Sequence, residues 1–352
     1  MASHMFDNPS FDYHEGVHFF SDEESGLRAI IAIHSTALGP SSGGTRMWDY
    51  ADGRAMVTDA LRLSQGMSYK NAMASIPHGG GKAVIWGNSR TDKSEAMFLA
   101  FGRAIESLQG QYWTAEDVGI EIEDIEIAAR ETRYAAGRTS GVAASGDPSP
   151  VTACGVFMGI QQAALRAFGD TDLNGKTVAV QGVGSVGGHT CEHLAEAGAN
   201  LIITDINQQA LTDLAQRTGA RIVAPDEIYD VDADIFSPNA LGAVINDETL
   251  KRLTVKVIAG GANNQLSTAD MGAKVRDAGI LYAPDYVING GGIINVAAEI
   301  SGAYSRDWVD GKLATLIETL GRVLDEGLSS GRPTNEIADE MARARIAAAK
   351  AG

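Results

Sequence analysis

The sequence predicts an α/β protein of two domains, an N-terminal α/β domain followed by a second domain built on a doubly wound parallel sheet. Three observations carry the prediction. Short apolar runs alternate with helical patterns along most of the chain, the arrangement that crossover helices and a parallel sheet require. At 352 residues and 44% hydrophobic content, the chain is long enough to bury two cores. Between its halves runs "TSGVAASGDPSP" (139–150), whose Gly, Ser and Pro content suits a hinge or junction. The expected limits are 6–145 for the first domain, with the C-terminal helix 331–352 returning to it, and 146–330 for the second. The opening "MASHM" resembles an expression-vector remnant and is set aside.

Taken in order, "LRAIIAIH" (27–34) reads as a strand, and "DALRLSQGM" as a helix that leads into Tyr69, Lys70 and Asn71. Ala83 to Trp86 form a β-type run just after a glycine triplet and Lys82. Met97, Phe98, Phe101, Ile105 and Leu108 fall at helical spacing, and "QYW" is strand-like before "TAEDVG". Past the junction, "VTACGVFMGIQQAALRAF" is helical. The strands "TVAVQGVG", "NLIITD", "ARIV", "DIFSP", "KVIAGG" and "ILYAPD" follow, with helices through His193 and Leu214. The tail beyond Trp308 is helical and charged.

A net charge of −17 argues against nucleic acid or an anionic membrane as partner. No apolar stretch approaches the roughly 20 residues needed to cross a bilayer, so a cytoplasmic protein is expected. Cys154 and Cys191 lie in apolar helical stretches without C-x-x-C spacing, which points to buried free thiols rather than a disulfide or a metal site.

In "VAVQGVGSVGGH", Gly182, Gly184 and Gly187 fit G-x-G-x-x-G, with Val183, Ser185 and Val186 between them. A strand precedes the motif, a helix follows, and Asp205 ends the next strand. Together these make a Rossmann dinucleotide fingerprint, in which backbone N–H groups at a helix N-terminus receive the pyrophosphate. Asp205 would accept bonds from the ribose hydroxyls and repel a 2′-phosphate, and Ile206 and Asn207 supply no cation. NAD is therefore expected over NADP.

The stretch "IPHGGGKAVIWG" (76–87) poses a different question. A phosphate-binding loop needs G-x-x-x-x-G-K-[ST] opening a helix, whereas Ala83 stands at the hydroxyl position and a strand follows. Lys82 is thus a candidate reactive amine. Its glycine neighbours leave it uncrowded, and burial in a cleft between the domains beside a second lysine, Lys70, would lower its pKa toward a general base. Asp117 would pull the other way. His78 is given no role.

The motifs "GLRAIIAIHSTALGPSSGGTRMW", "YKNAMASIPHGGGKAVI", "TAEDVG", "GDPSPVTA", "VAVQGVGSVG", "GGANNQL" and "APDYVINGGGIINVAAE" resemble, in order, those of leucine dehydrogenase and its valine and phenylalanine relatives in the amino-acid dehydrogenase superfamily. The resemblance implies a substrate and oligomerisation domain, an NAD-binding domain and a homo-oligomer. It implies Lys82 as catalytic base, Asp117 as its proton-transfer partner and Lys70 as the grip on the substrate α-carboxylate. It has Gly43 and Gly44 approach the substrate, and Thr152, Asn263 and Asn264 position nicotinamide and substrate. The activity implied is oxidative deamination of an apolar L-amino acid, the leucine, valine and isoleucine class first. A phenylalanine- or tryptophan-preferring enzyme, or an inactive NAD-binding protein, is the alternative. By the same resemblance Ser42, Ala115, Ile293 and Val296 would wall the side-chain pocket. None is charged, so a second substrate carboxylate would be buried without a cation. Ser42 stands where leucine dehydrogenases typically carry leucine, which predicts a roomier pocket.

Overall fold

The computed structural model describes residues 5–138, 146–302 and 304–351. The first part of the predicted junction, 139–145, and the opening four residues lie outside the described residues. The chain divides into two compact units. One comprises Met1–Asp147, Ile293–Val309 and Ala342–Gly352, the other Pro148–Gly292 and Asp310–Met341.

The first unit begins with strands β1 (Gly16–Asp22), β2 (Leu27–Ser35), β3 (Ser41–Ser42) and β4 (Thr45–Trp48), then helix α1 (Gly53–Met73). Strand β5 (Gly79–Trp86), α2 (Glu95–Ser107), β6 (Tyr112–Trp113) and α3 (Ile122–Ala128) follow. Its sheet runs β1-β2-β5-β3-β6, with β4 also on β5. Strand alternation sends Ile31, Ile33, Ala83 and Ile85 to the face covered by Phe98 and Phe101 of α2. Ile30, Ala32 and Val84 meet Met56 and Ala60 of α1 on the other face. Lys82, two residues from Val84, is therefore on the α1 face. Two differences from the sequence reading matter here. Helix α1 extends through Lys70 to Met73, and β5 starts at Gly79, so both lysines are held on regular elements rather than on loops. Asp52 starts α1 by accepting the Ala55 N–H at 2.8 Å.

The second unit contains α4 (Ser149–Phe168), β7 (Thr177–Gln181), α5 (Ser185–Glu196), β8 (Asn200–Thr204), α6 (Gln208–Thr218), β9 (Arg221–Ile222), β10 (Ile235–Pro238), α7 (Thr249–Arg252), β11 (Val257–Ile258), α8 (Met271–Asp277), β12 (Leu281–Tyr282) and α9 (Asp285–Ile288). Its strands order as β12-β11-β10-β7-β8-β9, every pairing parallel. That is the doubly wound order whose switch point lies at β7 and β10. Three helices close the chain: α10 (Gly291–Ile300), α11 (Arg306–Ser330) and α12 (Thr334–Ala351). The last helix joins the first unit from Ala342 onward, where Arg343 donates to the Tyr69 hydroxyl at 2.7 Å and Arg345 to the carbonyl of Ala72 at 2.8 Å.

Among the described residues both cysteines are free, and burial pushes the Cys191 thiol up to about 12. Cys154 is only half-buried, because its place on α4 leaves part of the side chain exposed. No helix among the described residues is long and apolar enough to cross a membrane.

A buried histidine pair in the first unit carries a pH prediction. His34 donates to or accepts from Ser68 Oγ at 2.7 Å, lies 3.4 Å from Asp12 Oδ2, and meets the His14 ring edge-on at 4.9 Å. Burial, aided by His14 and against the pull of Asp12, brings His34 from 6.5 down to about 4. The unfolded chain then binds a proton near pH 6.5 that the folded chain refuses. Stability should be level above pH 6.5, decline between pH 6.5 and 4 by about 3 kcal/mol, and decline no further from this cause. Urea midpoints at pH 7.5 and 5 check this, and His34→Gln should flatten the dependence. The same slope in the variant would contradict it.

Candidate active site

Lys82 is 5% exposed, and its Nζ lies 2.6 Å from Asp117 Oδ2. The segment holding Asp117 is pinned on both sides by the strand after the paired glycines. Thr45 N–H donates to Ala115 O at 2.8 Å and Met47 N–H to Val118 O at 2.9 Å. A Cβ on Gly44 would lie 2.4 Å from Glu116 O and 2.9 Å from Asp117 Cβ, so glycine there lets the backbone close onto the carboxylate's own residue. Asp117 is not a helix cap, since Glu121 caps α3. Burial alone would raise its carboxyl, but the Lys82 ammonium and the Arg46 guanidinium hold it below the usual carboxylate range.

The glycine triplet needs a different explanation from the one the sequence suggested. A Cβ at Gly79 would sit 1.9 Å from Ser35 O, at Gly80 2.0 Å from Ser68 N, and at Gly81 2.8 Å from both Ser41 Oγ and the Tyr112 ring. Protein backbone already fills the first two positions, and the Ser41 and Tyr112 side chains the third. The triplet therefore lets β5 pack tightly against its neighbours and α1, rather than clearing room for a substrate around Lys82. Gly43 shows the same constraint, with a Cβ 1.9 Å from Gly81 O. Tyr112 ties these parts together, donating to Gly43 O at 2.6 Å and accepting from Ala83 N–H at 3.1 Å.

Lys70 stands in the last turn of α1. One residue on, Asn71 donates to Gly79 O at 2.6 Å and to Ser42 Oγ at 3.1 Å. Three residues back, Met67 Cγ would be 3.0 Å from a Cβ on Gly43. His78 is buried, its Nδ1 has no hydrogen-bond partner among the described residues, and burial lowers its pKa.

Ala115, Ala136 and Val296 form one apolar cluster, with Ile293 and Ile300 packed on it. Three of the predicted pocket residues thus meet within the first unit. Ser42 is buried beside Asn71, its hydroxyl already hydrogen-bonded. Glu299, on the same helix α10, accepts the N–H of Gly137 at 3.0 Å and of Arg138 at 3.2 Å, fixing the chain next to Ala136. Ala136, Ile300, Glu299, Arg46 and Tyr112 escaped the sequence reading. Arg46 alone had a visible signal, two residues after the paired glycines of "GGTRMW".

In the second unit, Gly182 has φ +94°, and a Cβ on Gly187 would lie 2.0 Å from Gly182 O. A Cβ on Gly184 would meet nothing, and Gly184 caps α5 without a side chain. Ser185 and Val186 begin that helix. Its N–H groups are left open to an anion, the place a pyrophosphate takes. Asp205 accepts the Val183 N–H at 2.7 Å and the Asn207 N–H at 2.9 Å, which fixes its carboxylate beside the glycine turn. Thr152 is buried on α4 and bonds Pro148 O at 3.0 Å, while Gly291 and Gly292 approach it closely. Asn264 adopts φ +52° and accepts the Ala243 N–H at 2.7 Å. Asn289 braces the same loop, donating to Gly261 O at 3.0 Å and Asn263 Oδ1 at 2.7 Å. These residues fit a dinucleotide.

The profile described as Glu/Leu/Phe/Val dehydrogenase, dimerisation domain, matches residues 14–134, and that described as Glutamate/Leucine/Phenylalanine/Valine dehydrogenase matches 145–207 and 201–350. Leucine dehydrogenase of Bacillus subtilis (strain 168) is 53% identical over 336 residues, covering 96% of this chain and 92% of the relative. Phenylalanine dehydrogenase of Bacillus thermotolerans is 45% identical over 340 residues, 95% of this chain and 89% of its own. The crystal structure of L-tryptophan dehydrogenase from Nostoc punctiforme superposes with a TM-score of 0.85 at 40% identity, over 96% of this chain and 97% of that one.

Proposed function

The chain belongs to the Glu/Leu/Phe/Val dehydrogenase family, and from that premise we propose that it catalyses the NAD-dependent oxidative deamination of apolar L-amino acids, the branched-chain ones first, and the reverse reductive amination. The observation that carries the reading is the buried Lys82–Asp117 pair at 2.6 Å.

In this reading Lys70 holds the substrate α-carboxylate, with Gly43 and Gly44 offering backbone beside it. Bound NAD would accept the hydride from Cα, leaving an iminium carbon. Lys82 Nζ then takes a proton from the water that attacks this carbon, and Asp117 Oδ2 keeps that nitrogen in place and shares its proton. Lys82 then returns that proton to the amino nitrogen, and as ammonia departs the hydroxyl gives its own proton to Lys82, leaving the 2-oxo acid. Thr152, Asn263 and Asn264 position the nicotinamide and the substrate, while Gly182 to Gly187 hold the pyrophosphate. Asp205 receives the ribose hydroxyls, and the absence of a cation at Ile206 or Asn207 supports NAD over NADP.

The cluster of Ala115, Ala136, Ile293, Val296 and Ile300 supports an apolar side chain, since none of these residues could pair a second carboxylate. Ser42, which takes less room than leucine, favours a second reading in which aromatic amino acids are preferred. The match to dimerisation-domain and dehydrogenase profiles supports a homo-oligomer. The test is a panel of L-amino acids assayed with NAD and with NADP. Leucine, valine or isoleucine with NAD should give the highest kcat/KM, with glutamate about 100-fold lower or worse. Phenylalanine or tryptophan at the head of the panel would favour the second reading. Glutamate at the head, or NADP preferred, would overturn the apolar pocket or the role of Asp205 respectively.

A further inference from the structure

Lys82 and Asp117 are the visible end of a longer chain of charges. Strand β4 lies parallel to β5 with Arg46 opposite Val84, so Arg46 and Lys82 project to the same face of the sheet, the one that α1 covers. Arg46 Nε is 3.5 Å from Asp117 Oδ2, the oxygen that Lys82 also holds. Its Nη1 is 3.1 Å from Oδ2 of Asp59, a buried carboxylate on α1. Asp59 is fixed in turn by the Tyr50 hydroxyl at 2.8 Å and by Arg62 Nε at 3.0 Å. Arg46 Nε is buried and makes no proper hydrogen bond, so it acts on Asp117 as a charge rather than as a donor in direct contact.

We propose that Arg46 is a positioning residue for the proton chemistry: anchored by Asp59, it takes a share of the Asp117 charge and so keeps the Lys82 ammonium from being locked into a private ion pair. The inference rests on the reading of Lys82 as the base. Asp117 faces Lys82 from β5 and Arg46 from β4, with Tyr112 and Glu116 as the other ionisable groups nearby. A carboxylate shared by two cations binds each less tightly than a carboxylate given to one. With Arg46 removed, the Asp117 charge falls on Lys82 alone. The ammonium then holds its proton more strongly, and the base is available only at higher pH.

Arg46→Gln tests this in the otherwise intact chain, with L-leucine and NAD followed from pH 6.5 to 10.5. The expected result is a kcat about 10-fold lower at pH 8 and a KM within about threefold of the unaltered chain. The rising limb of the kcat profile should move to higher pH by about half a unit or more. Arg46→Lys should give intermediate values, because a single ammonium cannot span Asp59 and Asp117 as a guanidinium does. It also serves as the deciding variant if Arg46→Gln does not fold. A merely structural Arg46 would lower the melting temperature and leave the limb where it was, and that result overturns the inference. An unaltered chain that forms no NADH from any apolar L-amino acid overturns the reading beneath it, and the inference with it.

Discussion

Lys82→Ala should lower kcat for L-leucine by about 1,000-fold while raising KM by no more than about fivefold, as expected when a general base is lost and substrate binding is kept. The size of the effect follows from the site. Lys82 is 5% exposed and, among the described residues, its polar partner is Asp117, so no solvent-fed amine is at hand to replace it. Lys82→Arg should be nearly as poor, since a guanidinium stays protonated at any working pH. The substitution also leaves Asp117 buried with Arg46 at 3.5 Å as its remaining cation, so some stability is lost too. Comparing kcat at a temperature well below both melting transitions separates the two effects. Turnover within tenfold of the unaltered chain would mean that another group is the base.

Gly80→Ala should produce a large loss of stability. The new Cβ would stand 2.0 Å from Ser68 N and 2.4 Å from Ser68 Cα, atoms of the α1 backbone that cannot turn aside as a side chain can. To make room, α1 would have to lift from β5, opening the contact of Val84 with Met56 and Ala60 and carrying Met67 away from Gly43. A cost of about 4 kcal/mol is expected, a large part of the whole stability of such a domain. Thermal unfolding should show a transition lower by about 10 °C, or a chain that does not accumulate in folded form. A transition within about 2 °C would show that the strand and helix are less tightly apposed.

The glycine triplet marks how far the sequence could be read. That Lys82 follows it is visible in "HGGGK", and so is the failure of the phosphate-loop pattern, because both depend on neighbours in the chain. What the glycines are for is set by Ser35, Ser41 and Ser68, residues 12 or more positions away that only folding brings to them. The same division holds in the second unit. The strand, glycine turn, helix and terminal Asp205 were legible because the fingerprint is local, and the parallel sheet followed from the spacing of its strands. In the first unit, the Asp117–Lys82 pair spans 35 positions and the Glu299–Gly137 contact 162, and no local pattern announces contacts at such range. Ala136 and Ile300 are ordinary apolar residues whose meeting with Ala115 and Val296 depends on α10 joining the first unit. Helix ends misled the reading at Lys70, since α1 runs through Gly66 and on to Met73.

This chain is expected to couple hydride removal at Cα to loss of the amino group. The most direct measurement is a product balance with the purified chain, L-leucine and NAD, in which NADH, ammonia and 2-oxo acid are each quantified over a single time course. The three should rise together in equal amounts, and ammonium, the 2-oxo acid and NADH should run the reaction backward. NADH formed without ammonia, or no NADH from leucine, valine, isoleucine, phenylalanine or tryptophan, would contradict that coupling.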